Sequence, residues 1–275
     1  MIKIIGTNQG LRGDLIMGTV VARAIKEKNP DCHFTLGVNN LFSDMNDLFK
    51  NNPYIDEIHN WTKYDLWPGQ MDIDYLENNK YDLILNPMPQ HPNSHCWWML
   101  VKNQCEASCI ANGLTPPSNL QCYLEKWFKI PNYRDCITIF PFTNGKEKNL
   151  SIEKWQKIID YISNQGLIVI QLGTKEEFKF NNTLQLKTDY FESTKIMLGS
   201  IFTIGLDSSC AWLSSAYNHN FLGLFGYLSP YPGLDSSKLY QPINPNGHYL
   251  EAPRAEDIPN ELIFNKIDEM IDKYY

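Results

Sequence analysis

The chain has 275 residues, enough for one large domain or two moderate ones, and at 43% hydrophobic and 13% aromatic it can bury a core. A net charge of −7 argues against a protein that grips nucleic acid through its overall field. No segment reaches the roughly 20 apolar residues of a membrane span, and Met1-Ile2-Lys3-Ile4-Ile5 reads as a strand and not as a signal peptide.

Lys3-Ile4-Ile5 is the first expected strand. It runs into a loop with three glycines, Gly6-Thr7-Asn8-Gln9-Gly10-Leu11-Arg12-Gly13-Asp14, and then a helix from about Leu15 to Lys28. Asn29-Pro30-Asp31 stops that helix and Phe34–Val38 is the next strand, so the opening is a βαβ unit of a doubly wound sheet. The glycine loop is not GxGxxG, so the pattern alone is weak support for a dinucleotide. Asp14 stands where a carboxylate caps a helix start, a role that needs no chemistry. Tyr81–Leu85 is another strand, and Asn86-Pro87-Met88-Pro89-Gln90-His91-Pro92 leaves its carboxyl end. Loops there face the crevice of an open α/β sheet, which makes Asn86, Gln90 and His91 candidate ligand contacts.

Ser94–Asn112 reads as a helix with Trp97, Trp98, Leu100 and Val101 in its apolar share. His91, His95, Cys96, Cys105, Cys109 and Cys122 gather near it. Their spacing is not that of paired CxxC knuckles, and cysteines four apart on an apolar helix face read as core, so no metal is expected. The seven cysteines, odd and scattered, predict reduced thiols and a cytoplasmic protein. The triplet Asp72-Ile73-Asp74 lies in a polar stretch and reads as surface.

Loops at Pro116-Pro117-Ser118-Asn119 and Pro131-Asn132-Tyr133-Arg134 punctuate the middle of the chain, and the second marks a domain boundary. The expected division is residues 1–132, residues 133–260 and a closing amphipathic helix over 261–275. Cys136–Phe140 opens the second sheet and leads into Pro141-Phe142-Thr143-Asn144-Gly145-Lys146-Glu147-Lys148. Ser151 caps a helix whose Ile152, Trp155, Ile158, Ile159 and Ile162 form one stripe. Gly166 ends it, and the strand Leu167–Leu172 runs into Gly173-Thr174-Lys175-Glu176-Glu177. A turn and short helix are expected over Tyr190–Lys195.

The central unit is Ile201–Gly226. Ile201–Ile204 reads as a buried strand ended by Gly205, and Asp207, Ser208 and Ser209 are helix-capping residue types. A helical pattern follows through Ala211, Leu213, Ala216 and Tyr217, then a buried strand Phe221–Phe225 ending at Gly226. Such a unit puts a helix N-terminus at the carboxyl end of a strand, where backbone N–H groups and the positive end of the helix dipole suit a phosphate. The loop Ser229-Pro230-Tyr231-Pro232-Gly233 leaves the second strand's carboxyl end beside it.

Taken together, these stretches resemble glycosyltransferase family 9, the ADP-heptose:lipopolysaccharide heptosyltransferase type with the GT-B fold. The matching stretches are Gly13-Asp14-Leu15-Ile16, Asn51-Asn52-Pro53-Tyr54-Ile55-Asp56-Glu57-Ile58, the order strand, lysine loop, Trp155 helix, strand and Gly173-x-x-Glu176, and Asp207-Ser208-Ser209 followed by Leu224-Phe225-Gly226. Two positions depart from the family: Ser209 replaces its Gly and Trp212 its His.

The resemblance implies an α/β protein of two Rossmann-like parallel-sheet domains facing a cleft. It implies transfer of a sugar from a nucleotide diphosphate sugar to a hydroxyl of a glycan or lipopolysaccharide-type acceptor, without metal or other cofactor. Asp14 would be the general base. Lys148, with Lys146 as rival, would meet the donor's phosphates, Asp207, Ser208, Ser209 and Gly226 would seat them, and Gly173, Glu176 and Glu177 would face the sugar. Arg12, Asn86, Gln90 and His91 would lie on the acceptor side. GT-B proteins often return their last helix to the first domain, and a lipid-linked acceptor would add a peripheral membrane contact. Two alternatives stay open: a phage-type glycosyltransferase acting on a DNA base, which needs a local basic cleft, and a non-catalytic GT-B domain that binds nucleotide or sugar.

Overall fold

The computed structural model describes residues 1–7, 11–61, 73–85, 103–145, 148–173, 177–228 and 241–275. They form two compact units, Met1–Trp127 and Phe128–Tyr275. Adjacent aromatic residues fix the division, each held by its own unit. The indole N–H of Trp127 donates to the Asp47 carbonyl (2.8 Å) under the Lys50 ammonium, while Phe128 meets Phe191 and Tyr217 edge-on.

In the first unit β1 (Lys3–Thr7), β2 (His33–Asn39), β3 (Glu57–Trp61) and β4 (Leu83–Leu85) form a parallel sheet of order β3-β2-β1-β4. Helix α1 (Arg12–Lys28) is buried almost continuously from Asp14 to Ile25. It has no single apolar stripe because its outer side is covered too. Helix α3 (Gln104–Ala111) packs on it, and the 119–123 segment is tied to it by Arg23 Nη1 on the Asn119 carbonyl (2.7 Å) and the Tyr123 N–H on Thr19 Oγ1 (3.1 Å). A 3-10 helix (Asn40–Phe49) follows β2, and α2 (Ile73–Asn79) lays Tyr75 and Leu76 over Ile5 and Trp61. At the other end of this sheet, Asp56 accepts from Lys26 Nζ (2.6 Å) and the Phe34 N–H (2.7 Å). Partial burial alone would raise that carboxyl, but these two donors outweigh it and hold it below the usual carboxylate range.

The second unit is a parallel sheet of order β10-β9-β8-β5-β6-β7. Its strands are β5 (Cys136–Phe140), β6 (Ile168–Leu172), β7 (Thr183–Leu186), β8 (Thr203–Leu206), β9 (Phe221–Gly226) and β10 (Gly247–Ala252). The helices are α4 (Ile152–Asn164), α5 (Tyr190–Gly199), α6 (Ser209–Tyr217) and α7 (Asn260–Tyr274). Trp155, Ile158, Ile159 and Ile162 of α4 fill one core with Ile137, Ile139, Leu222 and Leu224. Helix α7 adds Ile263, Ile267 and Met270 to that core, stacks Phe264 on Tyr161 and accepts the Tyr161 hydroxyl on Asp268 (2.7 Å).

Lys154 is a buried cation that clamps α4 to the segment before α7. Its ammonium donates to the Glu256 carbonyl (2.5 Å) and to the Ile258 carbonyl, and burial lowers its pKa.

Two sequence expectations change here. The helix expected over Ser94–Asn112 is not continuous: Asn103 has extended backbone and is the N-cap of α3, its side chain accepting the Glu106 N–H (3.0 Å). Gly205 does not end β8; it sits inside the strand, and β8 runs two residues further, to Leu206. A Cβ at Gly205 would lie 2.5 Å from Cys210 Sγ, so glycine is what lets the first turn of α6 lie against the strand. In both sheets the first strand separates a later strand on one side from the βαβ succession on the other. These reversals, β1 against β4 and β5 against β8, are the switch points at which open α/β sheets hold ligands, outside the carboxyl ends of the strands.

Candidate functional site

The second unit's switch point is built from two short connections. After β5 the chain makes a tight loop closed by one side chain. Asn149 accepts the Thr143 N–H on Oδ1 (2.8 Å) and donates from Nδ2 to the Thr143 carbonyl (3.1 Å). Inside it, Thr143 Oγ1 takes the Gly145 N–H (2.9 Å) and the Lys148 N–H donates to the Gly145 carbonyl (3.0 Å). The loop therefore presents Lys148 from a backbone with its own hydrogen bonds, next to the strand end.

After β8, Asp207 leaves the strand and Ser208 is the N-cap of α6, with extended backbone. Lys148 Nζ and Asp207 Oδ2 meet at 2.7 Å across the switch point, the lysine side chain 38% exposed and the aspartate 12%. Two residues singled out separately in the sequence are thus one ion pair.

Two helices begin at this edge, and they differ. The N-terminus of α4 already holds an anion: the Glu256 carboxylate accepts the Ser151 N–H (2.7 Å) and hydroxyl (2.9 Å), and Ser151 Oγ accepts the Lys154 N–H (3.2 Å). At α6, Ser208 makes no side-chain cap hydrogen bond; its hydroxyl lies 3.1 Å from Cys210 Sγ. Ser208 and Ser209 are half-buried, and the first N–H groups of α6 lie beside the Lys148 ammonium's partner. Cys210 is no nucleophile in this setting, because burial pushes its thiol up to about 12.

Two further donor-side expectations, Gly173 and Gly226, stand at strand ends of the same sheet. Gly173 follows β6, and the Glu177 carboxyl folds over it so closely that a Cβ there would sit 1.8 Å from Glu177 Oε2. Gly226 has a packing role: a Cβ would lie 3.1 Å from the Ala255 backbone nitrogen and 3.2 Å from Arg254 Cα. Trp212 is buried, 5% exposed, inside α6. Glu176 and the rival Lys146 lie outside the described residues.

At the first unit's switch point, Asp14 is buried, 9% exposed, and its Oδ2 accepts the Leu11 N–H at 2.6 Å. It caps α1 from the helix's own first turn. Arg12 extends to Asp44 of the 3-10 helix (2.5 Å) and lies over the Phe42 ring. Asn86, Gln90 and His91 lie outside the described residues, as do Cys96 and Asp72. Among the described residues no group of three or more His, Cys, Asp or Glu side chains is arranged to hold a metal, and no helix is long and apolar enough to cross a membrane. The six described cysteines are free and buried.

Three contributors escaped the sequence reading: Asn149, which closes the Lys148 loop, Thr143, which it closes on, and Glu256, which fills the α4 N-terminus. Asn149 carried a local signal, an amide two residues before a capping serine, but Glu256 lies too far along the chain for any local pattern.

No family model matches the sequence, and neither does any curated protein. Solved structures do match. The glycosyl transferase family 9 protein from Veillonella parvula superposes with a TM-score of 0.76 at 14% identity, over 99% of this chain and 97% of that one. The chain has the GT-B fold of the family 9 glycosyltransferases. E. coli ADP-heptose LPS heptosyltransferase II gives 0.71 at 13% identity, over 99% and 98% of the two chains. The E. coli heptosyltransferase WaaC, solved with ADP, gives 0.69 at 12% identity, over 98% and 99%. The α/β class and the two Rossmann-like parallel-sheet units expected from the sequence are therefore those observed.

Proposed function

We propose that the protein is a glycosyltransferase that moves a sugar from a nucleoside diphosphate sugar to a hydroxyl of a glycan acceptor, with the donor's diphosphate seated on the second unit. The observation that carries this reading is the Lys148–Asp207 pair at the β5/β8 switch point, beside a helix start whose N-cap serine makes no side-chain cap hydrogen bond. A departing nucleoside diphosphate gains negative charge in the transition state, and an ammonium beside it with a helix N-terminus aimed at it stabilises that charge. The solved structures of similar fold add support, since one holds ADP and another ADP-2-deoxy-2-fluoro heptose.

Asp14 is the candidate base for the acceptor hydroxyl. The Leu11 N–H on Oδ2 holds this carboxylate in place at the start of α1, and a positioned carboxylate is what a general base requires. A lipopolysaccharide-type acceptor and a peripheral contact with its lipid belong to this proposal, as does a cytoplasmic site of action. A second reading, a domain that binds the nucleotide without transfer, is favoured by the burial of Trp212 where the family has a histidine.

The test is a thermal-shift screen against ADP, GDP, UDP and CDP and their sugars, then donor turnover with and without glycan acceptors. Stabilisation by one nucleotide and turnover of its sugar supports transfer. Stabilisation without turnover on any acceptor supports the binding domain, and no stabilisation by any nucleotide overturns both.

A further inference from the structure

The Lys148–Asp207 contact raises a question that a phosphate site does not answer by itself. A carboxylate beside bound phosphates repels them, and at a few ångströms inside a protein surface such repulsion is large. Yet Asp207 is the more buried partner, held at the end of β8, with its Oδ2 2.7 Å from the ammonium. Its position does not depend on the long lysine side chain, whereas the half-exposed ammonium has rotatable bonds to spend. The mobile half of the pair is therefore the cation, and the fixed half is the anion.

We propose that Asp207 is a built-in competitor for Lys148: it parks the ammonium at the switch point when no diphosphate is present and takes it back as the diphosphate leaves. The proposal rests on the donor-site reading above and adds a regulatory role to it. Asp207 is then a positioning residue, acting through Lys148. It lowers affinity for the free diphosphate, because binding must first loosen the ion pair. It also speeds release of the nucleoside diphosphate product, because a counter-ion waits for the lysine. Differences in affinity of this kind appear mainly in the dissociation rate.

Calorimetric titration of ADP, GDP, UDP, CDP and inorganic pyrophosphate into the full-length wild type, Asp207→Asn, Asp207→Glu and Lys148→Met tests this. The nucleotide that binds wild type should bind Asp207→Asn more tightly, on the order of tenfold, with slower dissociation. Pyrophosphate, which has no ribose hydroxyl for a carboxylate to hold, should show the same gain. Asp207→Glu keeps the competing charge and should stay within about threefold of wild type, while Lys148→Met should bind at least about tenfold more weakly. A merely structural role for Asp207 would not tighten binding. If Asp207→Asn does not fold, Asp207→Ser carries the same expectation. Unchanged or weaker binding by the folded Asp207 variant, with Lys148→Met weakened, overturns the competitor role and leaves the donor site standing. No binding to wild type, or equal binding by Lys148→Met, overturns the donor-site reading itself.

Discussion

The two switch points carry similar residues and use them differently. At β1/β4 of the first unit the charges serve the helix that follows: Asp14 caps Leu11, and Arg12 reaches to Asp44 on a neighbouring element. At β5/β8 of the second unit the charges come from two connections and meet each other, Lys148 on Asp207, while the helix beside them starts without a side-chain cap. The neighbouring α4 shows what a filled helix start looks like, with Glu256 in place. A loop whose charges complete its own helix is a structural solution that tolerates a ligand. A loop whose charges pair across a strand reversal is, under the donor-site proposal, where an ion would be exchanged.

The largest expected effect tests the first side of that contrast. Asp14→Asn keeps an acceptor for the Leu11 N–H but loses the base, so turnover should fall by roughly 10²–10⁴ with melting temperature nearly unchanged. Asp14→Ala should lose turnover and also about 1 kcal/mol of stability through the cap. Turnover within a few-fold of wild type in Asp14→Asn would leave the residue a cap and nothing more. Lys148→Met comes next. Turnover should drop by about 10²–10³, the cost of removing one transition-state donor, with stability within about 0.5 kcal/mol because the pair is partly exposed. Equal loss of stability and activity would make the pair a structural strut.

Gly226→Ala sharpens the comparison from the other direction. The added methyl presses on the Arg254–Ala255 backbone, so a loss of about 1–3 kcal/mol in denaturant unfolding is expected with nucleotide affinity unchanged. An affinity loss in the folded variant would return Gly226 to the ligand. The smallest effect concerns a charge at the opposite end of the first sheet from its own switch point. The Asp56 carboxyl is held below its ordinary range in the folded chain, so it stabilises above the unfolded value of about 4 and that contribution is lost as pH falls through the folded value. Asp56→Asn should flatten the acid limb of the stability profile, and an unchanged limb would show that Lys26 and the Phe34 N–H do not hold the charge.

Legibility in the sequence followed how local each signal was. β5 and α4 were readable because an apolar β-branched run, a capping Ser151 and a regular apolar stripe agree within thirty residues or so. The start and end of β8 were not, because Gly205 looks like punctuation and is in fact spacing for Cys210. β7 and β10 carry half-buried, mixed residues and are strands only because β6 and β9 pair with them, so no pattern announced them. The residue types at the site were legible from their order along the chain. Their pairing was not, since Lys148 and Asp207 are brought together only by the strand order β8-β5. Nor was the difference between the two helix starts, which depends on Glu256 arriving from the far end of the chain.

The most direct test of the central claim is a crystal structure of the full chain with the nucleoside diphosphate that stabilises it best. The account predicts phosphate oxygens within hydrogen-bond reach of Lys148 Nζ and of the N–H groups of Ser209 and Cys210 at the start of α6. A nucleotide bound with its phosphates away from the β5/β8 edge, and the Lys148–Asp207 pair undisturbed, would contradict it.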